Sequence, residues 1–292
     1  MPKLSIITVN YNNKAGLIDT AQSVVAQTWT DYEWIIIDGG STDGSVEVIK
    51  EYAGKTDKLV YWCSEPDGGI YQGMNKGIEK AIGEYCWFLN SGDYAYQNTT
   101  LEDIFAVKFD EDIIYGNIKM AFTADTEMKY IYSRINTKKK NPYQPINWIY
   151  YTVIRHQASF ISRQLFASLG LYNVDDYVIS ADYEFFVRSI FKYSARVRHI
   201  NTIFSLYNLN GISFRRESQK IIHDEYRKVI MEIFPDSYKN IFLKSHIRKI
   251  IFYILIWPWL QPKYIIARII KFGFSRTVAY YKSVVVGLFR RK

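Results

Sequence analysis

Between Leu4 and Asp93 the chain repeats one pattern: a short apolar run, a polar or acidic turn, then an amphipathic stretch. The apolar runs are Leu4–Val9, Trp34–Ile37, Leu59–Cys63 and Tyr85–Leu89. Each is apolar on both faces, as strands in the middle of a covered sheet are. The stretches between them, about Ala15–Gln27, Val46–Tyr52 and Ile70–Ile82, place apolar residues at helical spacing, as Leu17, Ala21, Val24 and Val25 illustrate. Ser41 or Asp43 is the expected N-cap of the second helix. Such alternation predicts an α/β fold of βαβ units, with a mostly parallel sheet and helices on both faces. Right-handed crossovers then bring every strand's carboxyl end to one rim. Asn10, Asp38, Asp67 and Asp93 converge there, where open α/β sheets bind ligands. Four separate turn caps would also explain these residues, since Asx side chains favour turns.

The second half is less regular. Ile113–Tyr115 and Tyr130–Tyr132 read as strands and Thr137–Pro145 as a polar loop. Arg155–Phe160 leads into a strand-like run, Arg163–Leu169 reads as a short helix, and Ala181-Asp182-Tyr183-Glu184 precedes a helix carrying Phe185, Phe186, Ile190 and Phe191.

Charge divides the chain. No acidic residue follows Asp236, whereas twelve of the 37 basic residues do, which leaves 25 basic against 29 acidic residues and a net charge of −4 in residues 1–236. An acidic body argues against nucleic-acid binding. The basic stretch 237–292 also carries Trp257, Trp259 and the apolar run Ile250–Leu260, too closely bounded by Lys249 and Lys263 for a spanning helix of about 20 residues. Short apolar helices flanked by cations lie in the interface of an anionic leaflet. The competing reading is a helical subdomain packed on the rest. The expected division is therefore a domain over 1–236, with halves 1–100 and 101–236, and an amphipathic, membrane-associated tail over 237–292. Cys63 and Cys86 sit in apolar contexts and read as reduced core residues of a cytosolic protein, and the first residues lack a signal-peptide pattern.

Acidic loops, without a G-x-x-x-x-G-K-[ST] loop or a G-x-G-x-x-G after the first strand, point to phosphate binding through a divalent cation. In order, Ser5-Ile6-Ile7-Thr8-Val9-Asn10-Tyr11-Asn12, Glu33–Gly44, Ser64-Glu65-Pro66-Asp67-Gly68-Gly69-Ile70-Tyr71, Met74-Asn75-Lys76-Gly77 and Leu89-Asn90-Ser91-Gly92-Asp93 resemble family 2 glycosyltransferases, inverting, metal-dependent enzymes of the GT-A fold. The resemblance covers about the first hundred residues and continues at Ala181–Glu184. It implies that Thr8, Asn10 and Tyr11 line a nucleotide pocket with Asp38 near the base or ribose, and that Asp67 and Asn75 border the nucleotide and sugar. By the same resemblance Asp93 binds the donor and holds Mg²⁺ or Mn²⁺ on its diphosphate, Asp182 is the general base, and His156 and Gln157 border donor and acceptor. A nucleotide-diphosphate sugar would be the donor. The acceptor would be a lipid-linked or oligosaccharide hydroxyl in bacterial surface-polysaccharide synthesis, such as lipopolysaccharide or capsule, at the inner face of the plasma membrane. Two departures stand out: Gly39 occupies a place where the family often has a second acid that contacts the base, and Ser91 leaves the metal motif with one acid.

Rival readings exist at several positions. Asp43 fits a turn, His156 a satisfied loop histidine, and Asp175 and Asp176 compete with Asp182 for the base. Glu184 is two residues away, but a helix turns it about 200° from Asp182. His199, His223 and His246 read as structural or surface residues. At the level of the whole chain, the alternatives are a nucleotidyltransferase acting on a sugar phosphate, for which the activating glycine- and lysine-rich loop is missing, and a catalytically silent membrane-bound scaffold of the same fold.

Overall fold

The computed structural model describes residues 1–121, 129–131, 154–208, 211, 213 and 215–235. The chain divides into two units at Phe234/Pro235, and the description below concerns the first. The expected loop Thr137–Pro145 and the basic stretch 237–292 lie outside the described residues.

Strands β1 (Leu4–Asn10) and β2 (Tyr32–Asp38) are buried at every residue. That burial explains their unbroken apolar character. They pair in parallel with each other; β3 (Leu59–Ser64) adds beyond β2, and β4 (Tyr85–Phe88) adds on the other side of β1. Helices α1 (Lys14–Val25), α2 (Ser45–Lys55) and α3 (Ile70–Lys80) make the crossovers. Leu17, Ala21 and Val24 of α1 and Val48 and Ile49 of α2 join the core beneath Leu4, Ile6, Trp34 and Ile36. The opposite face of β1 carries Ile7 and Val9, and α3 lies against it. A Cβ on Gly77 would come within 2.4 Å of Ile7 Cγ2, and one on Gly73 within 2.8 Å of Val9 Cγ1. Two glycines in a helix interior are unfavourable in themselves, but here they permit the close approach.

Chain order runs outward from β1 to β3, then returns to place β4 on the far side. Such a reversal is the topological switch point of an open sheet, where a crevice opens beyond the carboxyl ends. Asn10 and the Asn90–Asp93 turn flank it.

The remainder of the sheet is mixed. The order is β3-β2-β1-β4-β8-β6-β9-β5, with β7 (Lys129–Ile131) on β6 (Ile113–Ala121). β8 (Ser159–Ser162) runs antiparallel to both β4 and β6, whereas β9 (Val197–Asn208) runs parallel to β6 and antiparallel to β5 (Tyr94–Ala95). The parallel βαβ pattern therefore governs one half of the sheet only. β6 runs six residues beyond the expected Ile113–Tyr115. Helix α4 (Thr100–Phe105) follows β5, α5 (Arg163–Leu169) matches the expected helix, and α6 (Ala181–Val187) passes into a π turn at Arg188–Lys192. Helix α7 (Arg216–Ile233) closes the unit.

The α2 cap differs from expectation. Gly44 holds the N-cap place at φ +88°, without a side-chain cap. Asp43 lies one residue earlier and accepts from Ser45 N and Oγ and from Lys14 N, joining the starts of α1 and α2. Ser41 is committed to Asp38 instead.

Candidate active site

Asp38 fastens the strand ends. Its Oδ1 accepts from Asn10 Nδ2 (2.6 Å) and Ser41 Oγ (2.6 Å), and its Oδ2 from Ser41 N (2.8 Å) and Ser64 Oγ (2.6 Å). A carboxylate offers about four lone-pair sites, and all are taken. Burial pushes this carboxyl's pKa up, but the bonds from Ser41, Ser64 and Asn10 outweigh it and hold the group below the ordinary carboxylate value. With 0% exposure, Asp38 has no acceptor left for a base or ribose. It positions Asn10.

Two other expected pocket residues turn inward. Thr8 is fully buried, and its Oγ1 accepts from Trp34 Nε1 at 3.0 Å. Asn75 donates from Nδ2 to Tyr172 O (2.9 Å) and accepts Tyr172 N at Oδ1 (3.0 Å), so its amide fastens α3 to the chain ahead of Asp182. Neither side chain reaches the rim with a free polar group, because neighbours in the fold use both.

Tyr11 stands at the rim, 66% exposed. Its ring and both Asp67 carboxylate oxygens lie 3.3 Å from where a Cβ on Gly39 would sit. Asp67 thus occupies the space facing the glycine, where a second acid would meet a like charge. Gly69 N–H fixes Asp67 Oδ1 at 3.0 Å.

The turn after β4 is held from α1. Thr20 Oγ1 lies 3.2 Å from Asn90 O and 2.7 Å from Asp93 O, and Gly92 N donates to it at 3.0 Å. Asp93 is buried at the rim, with its own N–H on Asn90 O. Asn10 Oδ1 and Asn90 Oδ1 are buried acceptors without a hydrogen-bond partner among the described residues. An unpaired buried acceptor costs about 1–3 kcal/mol, so both oxygens suit a ligand or an ion. Among the described residues no three His, Cys, Asp or Glu side chains form a metal cluster. A divalent cation here would have the oxygens of Asp93 and Asn90 from the protein. This hard, oxygen-only set fits Mg²⁺ or Mn²⁺ when a diphosphate supplies further ligands.

Asp182 begins α6 and is 14% exposed at its side chain. Its Oδ2 accepts from His156 Nδ1 at 2.7 Å, and its Oδ1 from Tyr71 Oη at 2.6 Å and Tyr183 N at 2.8 Å. With Nδ1 carrying the proton, His156 Nε2 accepts from Asn90 Nδ2 at 3.3 Å. A chain of side chains therefore runs from the β4 turn to Asp182. Burial raises the Asp182 carboxyl's pKa, but His156, Tyr71 and the Tyr183 amide reverse the shift and hold it below the ordinary value. Three of about four lone pairs are used, leaving one on Oδ2. Gln157 is buried beside His156, and its carbonyl accepts from Trp87 Nε1.

Two of the rival acids are engaged elsewhere, and Asp175 is exposed. Glu184 pairs with Arg188 at 2.6 Å, and Arg188 also bonds Leu169 O. Asp176 binds Lys228 and Asn173. His199 bonds Asn117 and packs on Tyr115. Thr20, Asn90 and the Tyr71 hydroxyl have no counterpart among the expected site residues. Only the position of Tyr71, just after the Asp67 loop, pointed to it in the sequence.

The profile of Glycosyl transferase family 2 matches residues 5–169. A PGL/p-HBAD biosynthesis glycosyltransferase of Mycobacterium bovis is 28% identical over 230 residues, 78% of this chain and 83% of that protein. An uncharacterized glycosyltransferase of Mycobacterium tuberculosis is 30% identical over 226 residues, 76% of this chain and 81% of its own length. Among solved structures, S. aureus TarS 1–349 in complex with UDP superposes with a TM-score of 0.58 at 18% identity, over 90% of this chain and 78% of that one. The mannosyltransferase PcManGT of Pyrobaculum calidifontis, in complex with GDP-Man and Mn²⁺, gives 0.59 at 15% identity, over 99% and 81%. With more than half of its length matched by the family profile and a GT-A architecture around the switch point, the chain belongs to glycosyl transferase family 2.

Proposed function

We propose that this enzyme transfers a sugar from a nucleotide-diphosphate donor to a saccharide hydroxyl with inversion, by direct displacement. Asp182 takes the proton of the acceptor hydroxyl. The acceptor oxygen bonds the anomeric carbon from the face opposite the leaving diphosphate, and the bond from that carbon to the diphosphate oxygen breaks. The observation that carries this reading is Asp182: a carboxyl positioned by three donors, with one lone pair on Oδ2 unused by them. Asn10 and Asp67 border the donor at the rim, and Tyr11 offers its ring face to the base. Asp93, with Asn90 beside it, would hold a divalent cation, which when bound neutralises charge on the leaving diphosphate. The donors named with the structural neighbours, UDP, UDP-GlcNAc and GDP-Man, support a nucleotide sugar in this place.

The acceptor is proposed to be lipid-linked, in cell-surface glycan synthesis, with the basic stretch 237–292 holding the enzyme at the inner face of an anionic membrane. The mycobacterial relative's role in PGL/p-HBAD biosynthesis supports a lipid acceptor. No helix among the described residues is long and apolar enough to cross a membrane.

The test is release of nucleoside diphosphate from a panel of nucleotide sugars, with and without acceptor. Asp182→Asn should lower turnover at least about a hundredfold, the usual contribution of a general base. Asp93→Asn and chelation by EDTA should each suppress it. Full turnover in both variants refutes the assignment, and undiminished turnover in EDTA removes the cation.

A further inference from the structure

The Tyr71 hydroxyl lies 2.6 Å from Asp182 Oδ1 and 2.7 Å from the carbonyl oxygen of Ile179. It has one proton. Neither a carbonyl nor an ionised carboxylate can donate, so one proton faces two acceptors. Which acceptor wins depends on Asp182. A carboxylate is a stronger acceptor than an amide carbonyl, because charge-assisted hydrogen bonds are the stronger kind. Once the carboxyl is neutral, its remaining C=O is the weaker of the two. Oδ1 already accepts Tyr183 N–H, so the open lone pair is on Oδ2, beside His156 Nδ1.

On the reading of Asp182 as general base, we propose that Tyr71 is a positioning residue with a two-position hydroxyl. It donates to Oδ1 while Asp182 is ionised, and it turns to Ile179 O when the acceptor's proton arrives on Oδ2. No heavy atom moves; one O–H bond rotates. Tyr71 is the second residue of α3, directly after the Asp67 loop, so the same helix start that borders the donor also sets the basicity of Asp182. Asn75 of α3 also holds the backbone of Tyr172, in the chain that leads to Ile179 and Asp182, which helps to keep the hydroxyl between its two acceptors.

The other titratable groups that face Asp182 come from four elements. His156 faces it from the turn at His156–Ala158, Tyr172 from the chain before α6, Tyr207 from β9 and Tyr226 from α7. Arg155 and Asp93 lie within electrostatic reach of Tyr207, and Glu225 of Tyr226. Burial, with the Asp182 charge adding to it, raises the pKa of Tyr71, Tyr172, Tyr207 and Tyr226, so these tyrosines stay neutral donors.

The experiment uses the full-length chain as wild type, Tyr71→Phe, Asp182→Asn and the double variant. Melting temperatures of all four, at neutral pH and below the ordinary carboxylate range, measure the coupling between hydroxyl and carboxylate without any reaction. A favourable coupling at neutral pH that shrinks in acid is expected. The second measurement is nucleoside diphosphate release from UDP-GlcNAc and GDP-mannose against pH. Loss of a bond to a charged group should raise the acid limb of kcat/KM in Tyr71→Phe by about one unit. The KM for the donor should stay within about twofold, as the hydroxyl is engaged by Asp182 and Ile179 O. Additive melting temperatures, or a slower Tyr71→Phe enzyme with an unmoved acid limb, overturn the proposal. Coupling without diphosphate release by the wild type would support the Tyr71–Asp182 pairing while removing the transfer reading on which its catalytic role rests.

Discussion

Asp38 and Asp182 are distinguished by the number of lone pairs that their neighbours use. Asp38 is fully buried and Asp182 partly exposed, and hydrogen bonds hold both carboxyls below the ordinary carboxylate pKa, yet Asp38 has four donors and Asp182 three. The first is saturated and structural; the second has one acceptor site left. This difference gives Asp38 a measurable signature. Its folded pKa lies below the unfolded value, so its stabilisation is complete above about pH 4 and is lost as pH falls through the folded pKa. Asp38→Asn should cost about 2 kcal/mol or more at neutral pH, since a charged, hydrogen-bonded group is replaced. The gap between variant and wild-type melting temperatures should narrow in acid. An equal gap at both pH values would show that charge is not what Asp38 contributes. Sequence marked Asp38 and Asp93 as candidates through their places at strand ends, and Asp182 through the family resemblance at Ala181–Glu184. It did not show that Thr8 and Asn75 spend their polar groups on Trp34 and Tyr172.

At the scale of elements, the site depends on how closely α3 lies on β1. Gly77 and Gly73 set that approach against Ile7 and Val9, and α3 carries Tyr71 to Asp182. Gly77→Ala would gain about 1 kcal/mol of helix propensity but insert a methyl against a β-branched core residue, an overpacking that costs about 1–3 kcal/mol. We expect net destabilisation of about 1 kcal/mol, read as a lower urea midpoint with unchanged m-value. A rise in the midpoint would mean that the helix is not held against the sheet there. β1, β2 and β4 were legible because strands buried on both faces are apolar throughout; β3 reads the same way but is a half-exposed edge strand, with only Leu59 buried. β5 and α7 were not legible. β5 has two residues, too few for any period. α7 turns Ser218 and Glu225 inward along with Val229 and Ile230, so its buried face does not read as apolar. Glu225 is instead satisfied by the backbone of Val178 and Ile179, just ahead of Asp182.

For the whole molecule, charge is divided as sharply as structure. The body is acidic, and twelve cations without a single acid follow Asp236. If that stretch holds the enzyme on a membrane, the full-length chain should float with vesicles containing anionic lipid, should not float with neutral ones, and should be released by salt, as an electrostatic attachment of about 1 kcal/mol per cation requires. Salt-independent flotation with neutral vesicles would exclude an attachment led by charge. The reversal of strand order at β1/β4 is a finding of the structure, whereas the sequence alone determined the parallel half of the sheet and the presence of acids at the carboxyl rim. Those features are written in local periodicity and turn chemistry. Only the tertiary structure decided how many donors Asp38 and Asp182 each receive. The partners that settle it are distant in the chain: Tyr71 and Asp182 are 111 residues apart, and Asn90 and His156 are 66 apart. Hydrogen-bond saturation is a property of groups brought together by the fold, and no spacing within one stretch of sequence encodes it.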